Sequence, residues 1–222
     1  MTSVRSTSSG RPARRWLLES EIERLIAELR AADVRDERVL DAVCAVPREC
    51  FVSCEQRPEA WENRPLPIGE GQTISQPLVV ARMCALLNLR GDERVLDVGT
   101  GSGYHAAVLA SLSAWVWSIE RHESLSALAG RQLRAAGIAN VTLRLGDGAA
   151  GLPDEAPFDV ISVGAAAGSG VPAALETQLA PGGKLIVPVG HETQHLVLVC
   201  RGLDGVTLER RRLERVRFVP LR

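Results

Sequence analysis

The chain has 222 residues, more than the usual size of one domain and fewer than two comfortable ones. Hydrophobic residues make up 45% and charged residues 24%, which excludes a disordered chain. A net charge of −1 gives no global basic field for nucleic acid or an anionic membrane, and no run approaches the roughly twenty apolar residues of a membrane span.

Residues 1–15 are rich in Ser and Arg, carry no acidic residue and read as a flexible tail. From Leu18 the apolar positions Ile22, Leu25, Ile26 and Leu29 recur at helical spacing, and a second helix is expected from Asp36 to Ala45, stopping before Pro47. Residues 55–75, with Pro58, Pro65, Pro67, Gly69 and Gly71, read as loop. Pro77 opens a helix through Leu87. Strands and helices then alternate: strand Arg94–Val98, helix Tyr104–Leu112, strand Trp115–Ile119, helix Glu123–Ala136, and strands Val141–Leu145 and Phe158–Val163. A helix Val171–Leu179 is followed by a Pro181-Gly182-Gly183 turn and by strands Lys184–Val189, His195–Arg201 and Arg215–Val219. Repeated strand–helix units of this length specify a mostly parallel, doubly wound α/β sheet covered on both faces. The expected organisation is one unit over 16–222, with a helical part at 16–90 and the ligand-binding sheet at 91–222.

The five cysteines, Cys44, Cys50, Cys54, Cys84 and Cys200, lack C-x2-C spacing and read as reduced thiols, so no metal site is expected. With no leader pattern at the start of the chain, a cytoplasmic monomer that binds neither nucleic acid nor membrane is the expectation.

The chemistry concentrates in Val95-Leu96-Asp97-Val98-Gly99-Thr100-Gly101-Ser102-Gly103-Tyr104, a strand that runs into a glycine turn and a helix. Glycines let a ligand approach the backbone, and the helix start offers free N–H groups. Glu120, at the end of the next strand, suits both hydroxyls of a ribose. The G-x-G-x-G spacing differs from that of pyrophosphate binders, and Asp97 would repel phosphate while suiting a ligand with a positive amino group. Gly146-Asp147-Gly148 follows the third strand, where Asp147 could accept from an adenine amino group; its plain reading is a turn. Together these features favour S-adenosylmethionine over a dinucleotide. An oxidoreductase reading also lacks a Tyr–Lys pair, since Tyr104 and Lys184 are the chain's single Tyr and Lys.

Beyond the glycine turn and Gly146-Asp147-Gly148, four stretches carry a likeness: Val46-Pro47-Arg48-Glu49, Gly69 through Gln76-Pro77 (GEGQTISQP), Pro188-Val189-Gly190 and the ending Val216-Arg217-Phe218-Val219-Pro220-Leu221. With them, the chain from about residue 18 onward resembles protein-L-isoaspartate O-methyltransferases. The resemblance implies a class I methyltransferase fold with its last two strands exchanged in order. It also implies methyl transfer from S-adenosylmethionine to the free carboxylate of isoaspartyl residues in damaged proteins. The ester then closes to a succinimide that reopens partly to aspartate. The residues it implies at the cofactor are Gln72, Thr73, Ile74, Ser75, Asp97, Gly99, Thr100, Gly101, Gly103, Glu120, Asp147 and Gly148. Ser75 is the implied catalytic hydroxyl, and Ala165, Ala166 and Val219 meet the substrate.

A carboxylate is already ionised at neutral pH and needs no general base, so Ser75 is expected to orient by one hydrogen bond rather than attack. Its plain alternative is an N-cap ahead of Gln76-Pro77. The chain departs from the family at Leu78, at Trp61-Glu62-Asn63, at His105 and at Gly168-Ser169-Gly170. Those departures bear on substrate choice and leave open a sibling enzyme acting on an aspartate of one dedicated peptide. A non-catalytic S-adenosylmethionine-binding module is the remaining alternative. Arg210 to Arg217 reads as an exposed basic strand and turn, with Glu209 and Glu214 beside it.

Overall fold

The computed structural model describes the chain from Gly10 to Arg222, with side chains from Leu18 onward. Residues 1–9 of the expected tail lie outside the described residues. Residues 10–15, expected in that tail, belong instead to the first helix, α1 (Gly10–Ala31). Pro12 stands in its first turn, where a missing N–H breaks no intrahelical bond. Helix α2 (Glu37–Ala45) is capped by Asp36, whose carboxylate accepts from the amides of Arg38 and Val39. Helix α3 (Pro77–Leu87) begins on proline and ends at Asn88 in the left-handed region.

The segment 55–75 is not a plain loop. After a short 3-10 turn it forms a hairpin of β1 (Leu66–Gly69) and β2 (Gln72–Ile74). Pro67 pairs opposite Thr73 in this isolated two-stranded ribbon, where a missing donor is tolerated. Glu70 and Gly71 both have positive φ, 51° and 66°, the geometry of a tight primed hairpin turn.

The remaining elements are β3 (Arg94–Val98), α4 (Tyr104–Leu112), β4 (Trp115–Glu120), α5 (Glu123–Ala135), β5 (Val141–Leu145), β6 (Phe158–Val163), α6 (Ala173–Thr177), β7 (Leu179–Val189), β8 (Gln194–Arg201) and β9 (Leu208–Val216). The sheet order is β5-β4-β3-β6-β7-β8-β9. Strands β3 to β7 are parallel, while β8 is antiparallel to both β7 and β9, which follow in chain order at that edge. The doubly wound α/β class expected from the alternation is the fold observed.

The helix expected over Val171–Leu179 spans only Ala173–Thr177, since Leu179 already pairs in β7. Two further boundaries differ from expectation for physical reasons. Pro181-Gly182-Gly183 is a bulge inside β7 rather than a turn before it: Phe158 pairs with Leu179 but Val160 with Lys184. A Cβ at Gly183 would meet the carbonyl oxygens of Ala180 and Asp159 at 2.8 and 2.9 Å, so glycine lets the bulge close. The last strand is Leu208–Val216, not Arg215–Val219. Its arginines and glutamates suit a charged edge strand, and charge hid it from the apolar pattern.

One apolar core packs α1, α2, α3 and α4 against a face of the sheet, joining Leu29, Leu40, Phe51, Met83, Leu109 and Leu198. A second, with Leu96, Phe158, Ile161, Leu175 and Leu185, fills the other face. Among the described residues no helix is long and apolar enough to cross a membrane. No group of three or more His, Cys, Asp or Glu among the described residues is arranged to hold a metal.

Candidate active site

Strands β3 and β6 lie side by side where the sheet reverses its winding, and ligands of open α/β sheets bind beyond the carboxyl ends of strands at such a point. A cleft of about 380 Å³ opens there. Its walls are Val98, Gly99 and Gly101 of the glycine turn, Ile119 and Glu120 of β4, Gly148, Gly164 and Ala165 beyond β5 and β6, Gln72 and Thr73 of the hairpin, and Val219 to Arg222. Gly99 and Gly101 hold φ of 91° and 53°, conformations that side-chain-bearing residues rarely adopt. A Cβ on Gly148 would lie 2.5 Å from the Val98 side chain, so the turn after β5 can pass here only as glycine.

Glu120 is 6% exposed, and its carboxylate spans the turn. One oxygen accepts from the amide of Gly101 at 3.0 Å and the other from that of His122 at 2.9 Å. Each oxygen keeps a lone pair for one further donor, which fits a pair of vicinal hydroxyls. Cleft volume, apolar walls and this carboxylate together fit an adenosyl group.

Several residues expected at the cofactor stand behind the wall. Asp97 is fully buried, accepts from Ser118 at 2.7 Å, and its other oxygen has no hydrogen-bond partner among the described residues. Ser118 bonds Thr100 at 2.6 Å, so Asp97–Ser118–Thr100 forms a chain beneath the glycine turn rather than a direct ligand contact. His105 Nδ1 stands 3.9 Å from the free Asp97 oxygen and Cys84 Sγ 3.9 Å from its Nε2. Burial pushes the Asp97 carboxyl up to about 7, Glu120 adding and the Ser118 bond opposing, and holds His105 down to about 4. Gly103 packs against Ala129 and Leu133 of α5, so it serves helix packing. Asp147 is exposed and caps its own turn through the Ala149 amide, and Ile74 is buried under the hairpin. Of that set, Gln72, Thr73, Gly99, Gly101, Glu120 and Gly148 line the cleft itself.

A second cleft, about 690 Å³, adjoins the first and shares Thr73, Gly164 and Val219 with it. Ser75 lines this second space and not the first. Its hydroxyl caps nothing: the residue at the α3 N-cap is Gln76, and the Leu78 amide is taken at 3.1 Å by the side chain of Asn63. The cap is supplied from 15 residues upstream, which leaves the Ser75 hydroxyl without a hydrogen bond among the described residues.

The Ser75 backbone is held by a buried arginine. Arg48, with no exposed surface, donates to the carbonyls of Ala60 at 2.7 Å, Ser75 at 2.8 Å and Arg64 at 3.2 Å. Its guanidinium lies 4.8 Å from the centre of the Tyr104 ring, the first residue of α4. Burial lowers its pKa, yet three carbonyls and a ring face leave the charge well served. The C-terminal segment forms the opposite wall. Gln194 accepts from the Phe218 amide at 2.6 Å and donates to its carbonyl at 3.1 Å, while Ala166 exchanges backbone bonds with Val219 and Leu221. Ala166 thus anchors the wall without lining either cleft, Val219 lines both, and Ala165, expected at the substrate, lines the first cleft and not the second.

The family model described as protein-L-isoaspartate(D-aspartate) O-methyltransferase matches residues 20–222. This chain belongs to that family. The protein-L-isoaspartate O-methyltransferase of Anaeromyxobacter dehalogenans is 54% identical over 200 residues, covering 89% of this chain and 95% of that one. The Aeromonas hydrophila enzyme is 50% identical over 90% of this chain and 96% of its own. A solved protein-L-isoaspartate O-methyltransferase superposes with a TM-score of 0.80 at 30% identity, covering 90% of this chain; the chain spans 65% of that protein's length. One from Plasmodium falciparum, in complex with S-adenosyl-L-homocysteine, gives 0.77 at 27% identity, with 89% and 96% covered.

Within the isoaspartate O-methyltransferase frame, sequence reasoning missed Arg48, Asn63 and Gln194. Each acts through backbone groups far along the chain, and no local spacing announces such a contact. It also missed Glu70, which accepts from Ser124 Oγ at 2.7 Å, lies 3.8 Å from His122, and pins the hairpin tip to the start of α5. The departures at Leu78 and Gly168 to Gly170 line neither cleft. Trp117 packs edge-on against Phe158 rather than facing the site.

Proposed function

We propose that this protein transfers the methyl group of S-adenosylmethionine to the free α-carboxylate of isoaspartyl residues, opening their repair through succinimide. The observation that carries the reading is the pair of clefts that share Thr73, Gly164 and Val219, with Glu120 on one and Ser75, its hydroxyl without a hydrogen bond among the described residues, on the other.

Residues of the first cleft would hold the cofactor: Glu120 its ribose hydroxyls, Gly99 and Gly101 its close approach, and Val98, Ile119 and Leu221 its apolar faces. S-adenosylmethionine supplies an already activated methyl group when bound. The acceptor carboxylate is ionised at neutral pH, so no base is required of the chain. What the chain contributes is alignment, worth up to about 7–11 kcal/mol in the best cases, and exclusion of water. The Ser75 hydroxyl donates to one carboxylate oxygen and leaves the other to react; its backbone is fixed by Arg48. A net charge of −1 and the resemblance both support a protein or peptide acceptor over nucleic acid, and the core shared by the N-terminal helices and the sheet supports one working unit over 16–222.

The test is methyl incorporation from labelled S-adenosylmethionine into a short isoaspartyl peptide beside its normal-aspartate twin. Selective labelling of the isoaspartyl peptide is expected. Equal labelling of both, or labelling of neither while the cofactor binds, would overturn the reading.

A further inference from the structure

The acceptor cleft has a charge asymmetry that methyl transfer alone does not require. Two guanidinium-bearing residues, Arg215 and Arg217, line it, and among the described residues no acidic one does. The rest of the wall is apolar or neutral, with Pro65, Val79 and Phe218 prominent. Arg215 lies next to last within β9 and Arg217 one residue beyond its end, and both reach the same cleft. Both are exposed, and neither has a carboxylate partner among the described residues.

Two acids that lie on β9 or touch it are already paired. Glu214, the residue before Arg215 on β9, accepts from Arg82 at 3.1 Å. Glu176 takes the forked pair from Arg210 at 2.8 Å each. His195, beside Arg212 and Arg215, is held below its usual range by burial and then by those two cations.

We infer that Arg215 and Arg217 select acidic acceptor segments, so that isoaspartyl sites flanked by Asp or Glu are methylated in preference to those flanked by Lys or Arg. This inference rests on the methyl-transfer reading and names its substrate class. An extended peptide rises about 3.3 Å per residue, so side chains one or two positions from the reacting residue fall within reach of the two long arginines. Charges at such a rim act on encounter and on discrimination against the wrong partner more than on total affinity.

The experiment uses three isoaspartyl peptides that differ only in the two flanking residues, Gln, Glu or Lys, with kcat/KM measured at low salt and near 1 M salt. At low salt the Glu peptide is expected to exceed the Lys peptide by about tenfold, the sum of several exposed pairs. The gap should shrink at about 1 M salt, where the Debye length is ~3 Å. Arg215→Gln with Arg217→Gln should pull the Glu-to-Lys ratio towards one, and Arg215→Glu with Arg217→Glu should invert it. A ratio near one in the unaltered protein, with the Gln peptide methylated, would overturn the inference and leave methyl transfer standing. So would a ratio that neither pair of substitutions moves. Methylation of none of the three peptides would overturn both.

Discussion

The cleft that fits the adenosyl group is assembled from successive strand ends: Gly99 and Gly101 after β3, Glu120 ending β4, Gly148 after β5 and Gly164 after β6. The adjoining acceptor cleft draws instead on Pro65 and Ser75, on Val79 of α3 and on the C-terminal wall from Arg215 to Val219. The first is local, because each contribution is a turn of fixed chemistry attached to a strand. The second exists only after the two ends of the chain have met across the sheet. Each is backed by a buried polar group: Asp97 with His105 beneath the glycine turn, Arg48 beneath the Ser75 loop. Substitutions at these backing groups and at the walls separate the two clefts.

The largest effect is expected at Arg48. Arg48→Met would leave the carbonyls of Ala60, Arg64 and Ser75 without their buried donor, at a cost of about 3–5 kcal/mol in unfolding free energy. Denaturant titration reads this directly. Arg48→Lys, with fewer donors, should recover part of the stability but less of kcat, since the Ser75 carbonyl is one of three that a single ammonium must serve. Full recovery of both by lysine would show that the fork geometry is immaterial.

Beneath the other cleft the expected effect is pH-dependent. With Asp97 raised from 3.8 to about 7, the folded chain holds a proton there that the unfolded chain has released, so this group makes stability fall as pH rises through that window. With His105 lowered from 6.5 to about 4, the unfolded chain holds a proton that the folded one lacks, so this group makes stability rise with pH between those values. The slopes oppose one another, each at most about 1.4 kcal/mol per pH unit. Relative to the unaltered protein, Asp97→Asn should therefore gain stability as pH rises from about 4 to 7, and His105→Gln should lose it as pH rises from about 4 to 6.5. Chemical denaturation at several pH values tests both. Parallel stability curves for both variants and the unaltered protein would remove the pair from the account.

At the walls the effects are smaller and fall on different kinetic constants. Glu120→Gln should weaken S-adenosylmethionine binding about tenfold to a hundredfold, by loss of charge-assisted bonds to the ribose, with little change in kcat at saturation. Ser75→Ala should leave cofactor affinity alone and lower kcat about fivefold to thirtyfold, the worth of one bond to a charged partner. Calorimetry for the first and saturating kinetics for the second keep the clefts apart. An unchanged turnover in Ser75→Ala would remove its orienting role.

What could be read in the sequence follows the same division. The ends of β3, α4, β5 and β6 stand where periodicity and glycine placed them, and so do Gly99, Gly101, Glu120 and Gly148. Asp97 was legible as a motif residue but not as a buried one, because its depth is set by Ser118 on a neighbouring strand. The hairpin at Leu66–Ile74 was hidden by its prolines and glycines, which here shape a turn and an edge rather than a loop. β9 was hidden by its arginines. The plain alternative for Ser75, a helix cap, rests on capping being local in most helices, whereas here Asn63 supplies it from outside. The acceptor cleft is therefore the part that needed coordinates.

The central claim is that the two clefts are the donor and acceptor halves of one site. A crystal structure of the full chain with S-adenosylhomocysteine and an isoaspartyl peptide tests it most directly. The account predicts the ribose hydroxyls on Glu120 and the peptide's free carboxylate within hydrogen-bond distance of Ser75 Oγ, with the two ligands meeting at Thr73, Gly164 and Val219. A peptide seated away from Ser75, or an adenosyl group outside the glycine-turn cleft, would contradict it.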